Sequence, residues 1–186
     1  LAGLPERYQV ERLIGQGGMG AVYAAFDQQL RRRVAVKVLK GDRFRTLRGK
    51  MMLRECQVLA ALEDPGIVTV FDAGTLDDGS PYFIMRCVEG RNLDEHVSEQ
   101  RLGWRQVLDL VARICDAAHR AHLLKIVHRD LKPKNIKITA EGAPVILDFG
   151  LAKAVGEVSV VADGPAAQAG FETIGGGTPG YMSPEQ

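Results

Sequence analysis

The chain has 186 residues, 46% hydrophobic and 25% charged, and its 24 basic side chains nearly balance its 23 acidic ones. That is ordinary composition for one globular domain or two small lobes, and it gives no support to a nucleic-acid or membrane-surface binder. Cys56, Cys87 and Cys115 are odd in number, far apart and without a CxxC, which speaks against a disulfide framework or a structural zinc and for a reducing, cytoplasmic compartment.

Strands come first. Tyr8 to Ile14 mixes apolar and polar positions, a glycine cluster follows, and Ala21 to Phe26 resumes the pattern, so a hairpin with a glycine-rich turn is expected. Gly15, Gly17 and Gly20 make a GxGxxG. The dinucleotide-binding reading of that pattern needs a helix after the last glycine and an acidic residue about twenty positions on. Here the chain continues as strand through Val22, and the later position is basic, at Arg31 to Arg33. The preferred reading is a glycine hairpin folded over phosphates, where missing Cβ atoms let backbone N–H groups approach an anion. A plain flexible turn is the alternative.

Val34 to Leu39 reads as a third strand. Val34, Val36 and Val38 share one face, and Ala35, Lys37 and Leu39 the other, so Lys37 is expected to point inward. Residues 46–63 carry apolar side chains at helical spacing, and Glu55 falls between Met51 and Leu59 on that stripe. A carboxylate there is costly unless paired, so Glu55 is expected to meet Lys37. The bland reading sends both to solvent. Strands are expected over Gly66–Phe71 and Pro81–Met85, joined by the turn Asp77–Ser80.

Beyond Gly90 the pattern turns helical. Residues 104–123 place Val107, Leu110, Val111, Ile114, Ala118 and Ala121 on one stripe, and short strands are expected near 136–139 and 145–147. His119 and His122 stand i, i+3 on the helix, but a metal site lacks a third ligand nearby. From Leu151 to Gly180 the chain is rich in Gly, Ala and Ser; a stretch of that length without elements is functional or simply disordered. No repeats are visible, no apolar run reaches the length of a membrane span, and no signal peptide is visible. A β-rich first part and a helical second part suggest two lobes meeting near 86–91.

The densest polar stretch is HRDLKPKN, residues 128–135, set between Ile126-Val127 and Ile136. Taken with GQGGMGAVY (15–23), VAVK (34–37), Glu55, DFG (148–150) and GTPGYMSPEQ (177–186), it makes the chain resemble a protein kinase of the bacterial, eukaryotic-like Ser/Thr type. The stretches occur in family order and cover nearly the whole chain. The resemblance implies an α+β, two-lobed kinase fold: a β-rich N-lobe with one major helix over 1–90, and an incomplete helical C-lobe over 91–186.

It also implies roles. Asp130 takes the proton of the acceptor hydroxyl. Lys132 meets the γ-phosphoryl, and its presence marks the Ser/Thr form. Asn135 and Asp148 hold Mg²⁺, and Lys37, braced by Glu55, reaches the α- and β-phosphates of ATP. Val22 and Ala35 cover the adenine, Met85 is the gatekeeper, and Arg86 to Val88 the hinge. His128 is read as a packing residue and Asp94 as a ribose contact. Beneath the adenine the family places an apolar residue, whereas this chain has Lys137, whose stem is expected to lie under the base with its amine turned outward.

Arg129 implies control by phosphorylation of the activation loop, at Thr173 or else Ser159, with Glu172 beside Thr173 as a partial phosphate mimic and the Gly175–Gly177 run keeping the loop mobile. Thr178 is expected to bond the catalytic Asp and Lys, and Tyr181 and Met182 to line the acceptor pocket. The partners implied are proteins with Ser or Thr acceptors, together with a kinase-domain dimer for autophosphorylation. A pseudokinase scaffold and a small-molecule kinase are the rivals; intact Lys37, Asp130, Asn135 and Asp148 oppose the first, and GTPGYMSPEQ the second. The sequence starts at Leu1 and stops at Gln186, just after Pro184-Glu185. The expectation is therefore a fragment of a longer protein, with membrane anchoring of that protein left open: Glu185 lacks its Arg partner, helix 104–123 keeps an exposed apolar face, and these 186 residues alone are expected to be marginally stable or aggregation-prone.

Overall fold

The computed structural model describes residues 1–17, 20–40, 64–124, 126–128, 130–148 and 179–181. Five strands, β1 (Tyr8–Gly17), β2 (Gly20–Asp27), β3 (Arg32–Leu39), β4 (Val70–Thr75) and β5 (Pro81–Arg86), form an antiparallel sheet in the order β1-β2-β3-β5-β4. A second sheet follows from β6 (Arg91–Asn92), β7 (Ile136–Ile138) and β8 (Pro144–Ile146). Between β6 and β7 lie α1 (Leu93–Glu99) and α2 (Trp104–Leu123). The expected helix over 46–63, with Glu55, falls outside the described residues, as do Gly18 and Met19 at the tip of the glycine hairpin.

The β1–β2 hairpin pairs down to Gly17 opposite Gly20. Gly20 is a strand residue at φ +152°, and a Cβ there would sit 2.0 Å from the Val38 carbonyl oxygen, so only glycine fits. A strand rather than a helix after Gly20 rules out the dinucleotide-type turn. At the other end of β2, the fully buried Asp27 accepts from Arg7 Nη2 at 2.7 Å and from the amides of Gln29 and Leu30, and so shapes the turn into β3.

The two faces of β3 enter different cores, as its alternation requires. Val34, Val36 and Val38 pack with Tyr8, Tyr82 and Ile84. Ala35 and Leu39 join Phe83 and Met85 in a larger cluster that runs on through Leu110 and Ile114 of α2 to Ile136 and Ile146. Each such fully buried aliphatic side chain contributes about 1.5–3 kcal/mol, so this cluster fixes the sheets against α2. Lys37 lies on that face of β3 and is 6% exposed.

α2 has the expected span, and its first turn is closed by the Gly103 amide donating to Gln106 Oε1 at 2.9 Å. Leu110, Ile114, Ala118 and Ala121 are buried as expected and Ala117 joins them, but Val107 is half-buried and Val111 is 41% exposed. The buried stripe is therefore rotated toward Ala117. Trp104, Leu108 and Val111 face outward.

The strand expected over Gly66–Phe71 is displaced. β4 starts at Val70, with a register shift between Val70 and Asp72, whereas Gly66–Val68 turns away from β5 and pairs with β8. Ile146 N donates to Gly66 O at 2.8 Å, and Val68 N donates to Ile146 O at 2.9 Å. An apolar run of β-branched residues suits either partner, and the Asp64–Gly66 turn directs this one to β8. Two elements too short for a periodic signal, β6 and α1, were not foreseen; α1 is started by the Asn92 amide donating to Glu95 Oε2 at 3.2 Å.

Candidate active site

The segment after α2 is polar yet largely enclosed. Ile126 is buried, and its amide donates to Ala121 O at 3.0 Å, folding the chain back from the helix end. His128 is 5% exposed. Its Nδ1 accepts from the Asp130 amide at 3.2 Å and its Nε2 meets Leu147 O at 2.8 Å. A carbonyl only accepts and an amide N–H only donates, so the ring is neutral with its proton on Nε2. His128 is thus a buried packing residue that also ties the loop bearing Asp130 to the strand end that leads into Asp148.

Asp130 sits at the centre of this loop. Lys132 Nζ lies 2.7 Å from Asp130 Oδ2, with the two side chains 22% and 14% exposed. Asn135 Nδ2 donates to Asp130 O at 2.8 Å and to Asp130 Oδ2 at 3.1 Å. The short 3₁₀ turn Pro133–Asn135 presents that amide, and Asn135 O accepts from the Leu147 amide at 2.8 Å. With its nitrogen committed to Asp130, Asn135 has Oδ1 as its other polar side-chain atom, an oxygen of the kind a hard cation takes.

Asp148 follows β8 in the left-handed region, φ 58°, a conformation that Asp tolerates better than most residues. Its Oδ1 lies 2.8 Å from Lys37 Nζ. Lys37 therefore has Asp148 as a partner, which no local pattern indicates. Glu55, its expected partner, lies outside the described residues, as do Arg129, Ser159, Glu172, Thr173, the Gly175–Gly177 run, Thr178, Met182 and Glu185. Tyr181 ends a 3₁₀ turn from Pro179 and is 59% exposed.

The remaining candidates are spread over β1, β2, β3, β5, α1 and β7. In register, Val22 stands opposite Lys37, and Ala35 opposite Met85, which is buried. A Cβ on Gly15 or Gly17 would meet nothing within 4 Å, so the hairpin borders open space there. Val88 is half-buried against the large core. Lys137 lies between buried Ile136 and Ile138, opposite Asn92 on β6, and its amine donates to Gly90 O at 3.3 Å, just before β6. Asp94 is exposed in the first turn of α1. Among the described residues no group of three or more His, Cys, Asp or Glu stands ready for a metal.

Comparison with known proteins matches residues 8–186 to the protein kinase domain. The chain belongs to the protein kinase domain family. It is 37% identical over 188 residues to the serine/threonine-protein kinase PknB of Mycobacterium leprae, covering 98% of this chain and 29% of that protein. It is 38% identical to a probable serine/threonine-protein kinase PknB of Corynebacterium glutamicum, covering 98% and 28%. Among solved structures, the PknI kinase domain of Mycobacterium tuberculosis superimposes with a TM-score of 0.67 at 27% identity, over 85% of this chain and 68% of that one. The kinase domain described here thus spans less than a third of the length of these curated relatives.

Burial pushes the imidazole of His128 below its ordinary value, against the opposing pull of Leu147 O, Asp148 and Asp130. A histidine held neutral in the fold stabilises the kinase domain above its unfolded value, near pH 6.5, and that contribution is lost as pH falls through 6.5 toward the lower folded value. Denaturant midpoints at pH 8 and pH 5.5 are expected to fall further apart in the native chain than in His128→Gln. Equal pH slopes would rule out this role.

Proposed function

We propose that the chain is the catalytic domain of a Ser/Thr protein kinase, transferring the γ-phosphoryl group of ATP to Ser or Thr hydroxyls of proteins. One observation carries this reading: Asp130, Lys132 and Asn135 are bonded into a single cluster, and that cluster is tied through Leu147 to the Lys37–Asp148 pair. Phosphoryl transfer asks chiefly for positioning and charge neutralisation. In the proposed reaction the acceptor oxygen bonds to Pγ, the bond from Pγ to the ADP oxygen breaks, and the acceptor's proton passes to Asp130. Lys132 neutralises charge on the moving phosphoryl, and Lys37 does so at the α- and β-phosphates.

The residues fit Mg²⁺. A carboxylate at Asp148 and the amide oxygen of Asn135 are hard oxygen donors, and so sparse a protein set suits an ion that keeps its waters and binds mainly through phosphates. When bound there, the ion would supply charge neutralisation at the phosphates. Val22, Ala35 and Met85 enclose the base, with the hinge at 86–88, and Gly15, Gly17 and Gly20 fold over the phosphates. We place the lobe boundary at residue 90. The odd, scattered cysteines without a CxxC support assigning the domain to a reducing, cytoplasmic compartment. No helix among the described residues is long and apolar enough to cross a membrane.

The test is transfer of label from γ-labelled ATP with Mg²⁺ to a generic basic protein, followed by phosphoamino-acid analysis. Phosphoserine or phosphothreonine is expected. Tight ATP binding without transfer would favour a pseudokinase, and phosphotyrosine would overturn the Ser/Thr assignment.

A further inference from the structure

Asp64 is a buried carboxylate with its side chain 7% exposed, and it engages the guanidinium of Arg120 on α2 through two contacts: Nε to Oδ2, and Nη2 to Oδ1 at 3.1 Å. The same Oδ1 accepts from the Gly66 amide at 2.8 Å. The pair lies outside the cluster described above, yet each half leads into it. On the Asp64 side, the turn seats Gly66 so closely on α2 that a Cβ would come 2.9 Å from Ala117 Cβ. Gly66 O holds the Ile146 amide, and two residues on is Asp148. On the Arg120 side, the next residue, Ala121, holds the Ile126 amide through its carbonyl, and four residues further on is Asp130.

A bidentate guanidinium–carboxylate contact fixes both distance and angle. We propose that the Asp64–Arg120 pair is a clamp that sets the spacing between Asp148 and Asp130, making Asp64 and Arg120 positioning residues for phosphoryl transfer. This rests on the reading of Asp148 as the metal-holding carboxylate. Asp64 and Arg120 bond to each other and to the Gly66 amide, so the clamp acts through β8 and through the end of α2. The composition of the pair explains why the 64–68 segment leaves its own sheet for β8: the ion pair holds the turn on α2, and β8 is the edge that faces it there.

The experiment compares Arg120→Met and Arg120→Lys with the native protein, well below the melting temperature of each. Arg120→Met is expected to lower kcat by about 10–10²-fold, the scale of a small misplacement at a distance from the chemistry. It should also shrink the gain in affinity that Mg²⁺ gives to a fluorescent ATP analogue, with metal-free binding unchanged. Arg120→Lys keeps the charge without the fork and should recover only part of both. A lowered melting temperature with native kcat and native Mg²⁺ dependence would show a purely structural pair and overturn the proposal. Should Arg120→Met fail to fold, Asp64→Asn, which keeps an oxygen for the Gly66 amide, carries the same readouts and the same overturning result. Asp148→Ala separates the two readings. If it too leaves the Mg²⁺ dependence untouched, the site assignment fails; if it abolishes that dependence while Arg120→Met does not, the clamp alone fails.

Discussion

Asp130→Asn is expected to lower phosphoryl transfer by about 10²–10⁴-fold, the usual worth of a positioned general base, with ATP affinity close to native. The amide is isosteric and still accepts from Asn135 Nδ2, which meets Asp130 Oδ2 at 3.1 Å. It neither takes the acceptor's proton nor balances the Lys132 ammonium, which lies 2.7 Å from Asp130 Oδ2. The effect should therefore fall on kcat, with KM for ATP little changed, because the lost interaction is made in the transition state. Steady-state kinetics with labelled ATP check this. Native kcat in the variant would remove Asp130 from the mechanism.

Lys37→Met is expected to weaken kcat/KM for ATP by about 10²–10³-fold, the scale of losing one preorganised charge at a developing negative charge. Its effect on stability should run opposite to that of Asp148→Ala. The Lys37 side chain is 8% exposed and that of Asp148 30%. Replacing the buried ammonium with a methionine of similar length leaves a carboxylate that water reaches, and buried ion pairs exchanged for apolar groups are often neutral or stabilising. Asp148→Ala leaves the ammonium enclosed without this partner and should cost about 1–3 kcal/mol, the penalty for an abandoned buried polar group. Chemical denaturation of both variants decides it; equal losses would show that Lys37 is not held as the structure places it.

Much of this was legible in the sequence, for physical reasons that differ by element. The alternation Val34, Val36, Val38 against Ala35, Lys37, Leu39 has the period of a strand, and each set entered its own core. The 104–123 helix announced itself by apolar spacing, although the buried face turned toward Ala117 because the close approach of Gly66 demands a small neighbour there. The cluster of Asp130, Lys132 and Asn135 was legible because it is local: the three lie within six residues. Contacts between distant segments were not. Nothing in local pattern says that Asp148 meets Lys37 across more than a hundred positions, that Asp64 meets Arg120, or that Gly66–Val68 abandons its own sheet for β8. His128 looked like a packing residue because its apolar flanks show burial, whereas the two hydrogen bonds that fix its tautomer depend on where Leu147 arrives.

The central claim is that Lys37, Asp130, Asn135 and Asp148 serve one triphosphate. A crystal structure of the protein with a non-hydrolysable ATP analogue and Mn²⁺, read by anomalous scattering, tests it most directly. The account predicts a metal peak bound by Asp148 and Asn135 Oδ1, Lys37 on the α- and β-phosphates, and the Asp130 carboxylate facing the γ-phosphate. A metal held elsewhere, or Asp130 turned away from the terminal phosphate, would contradict it.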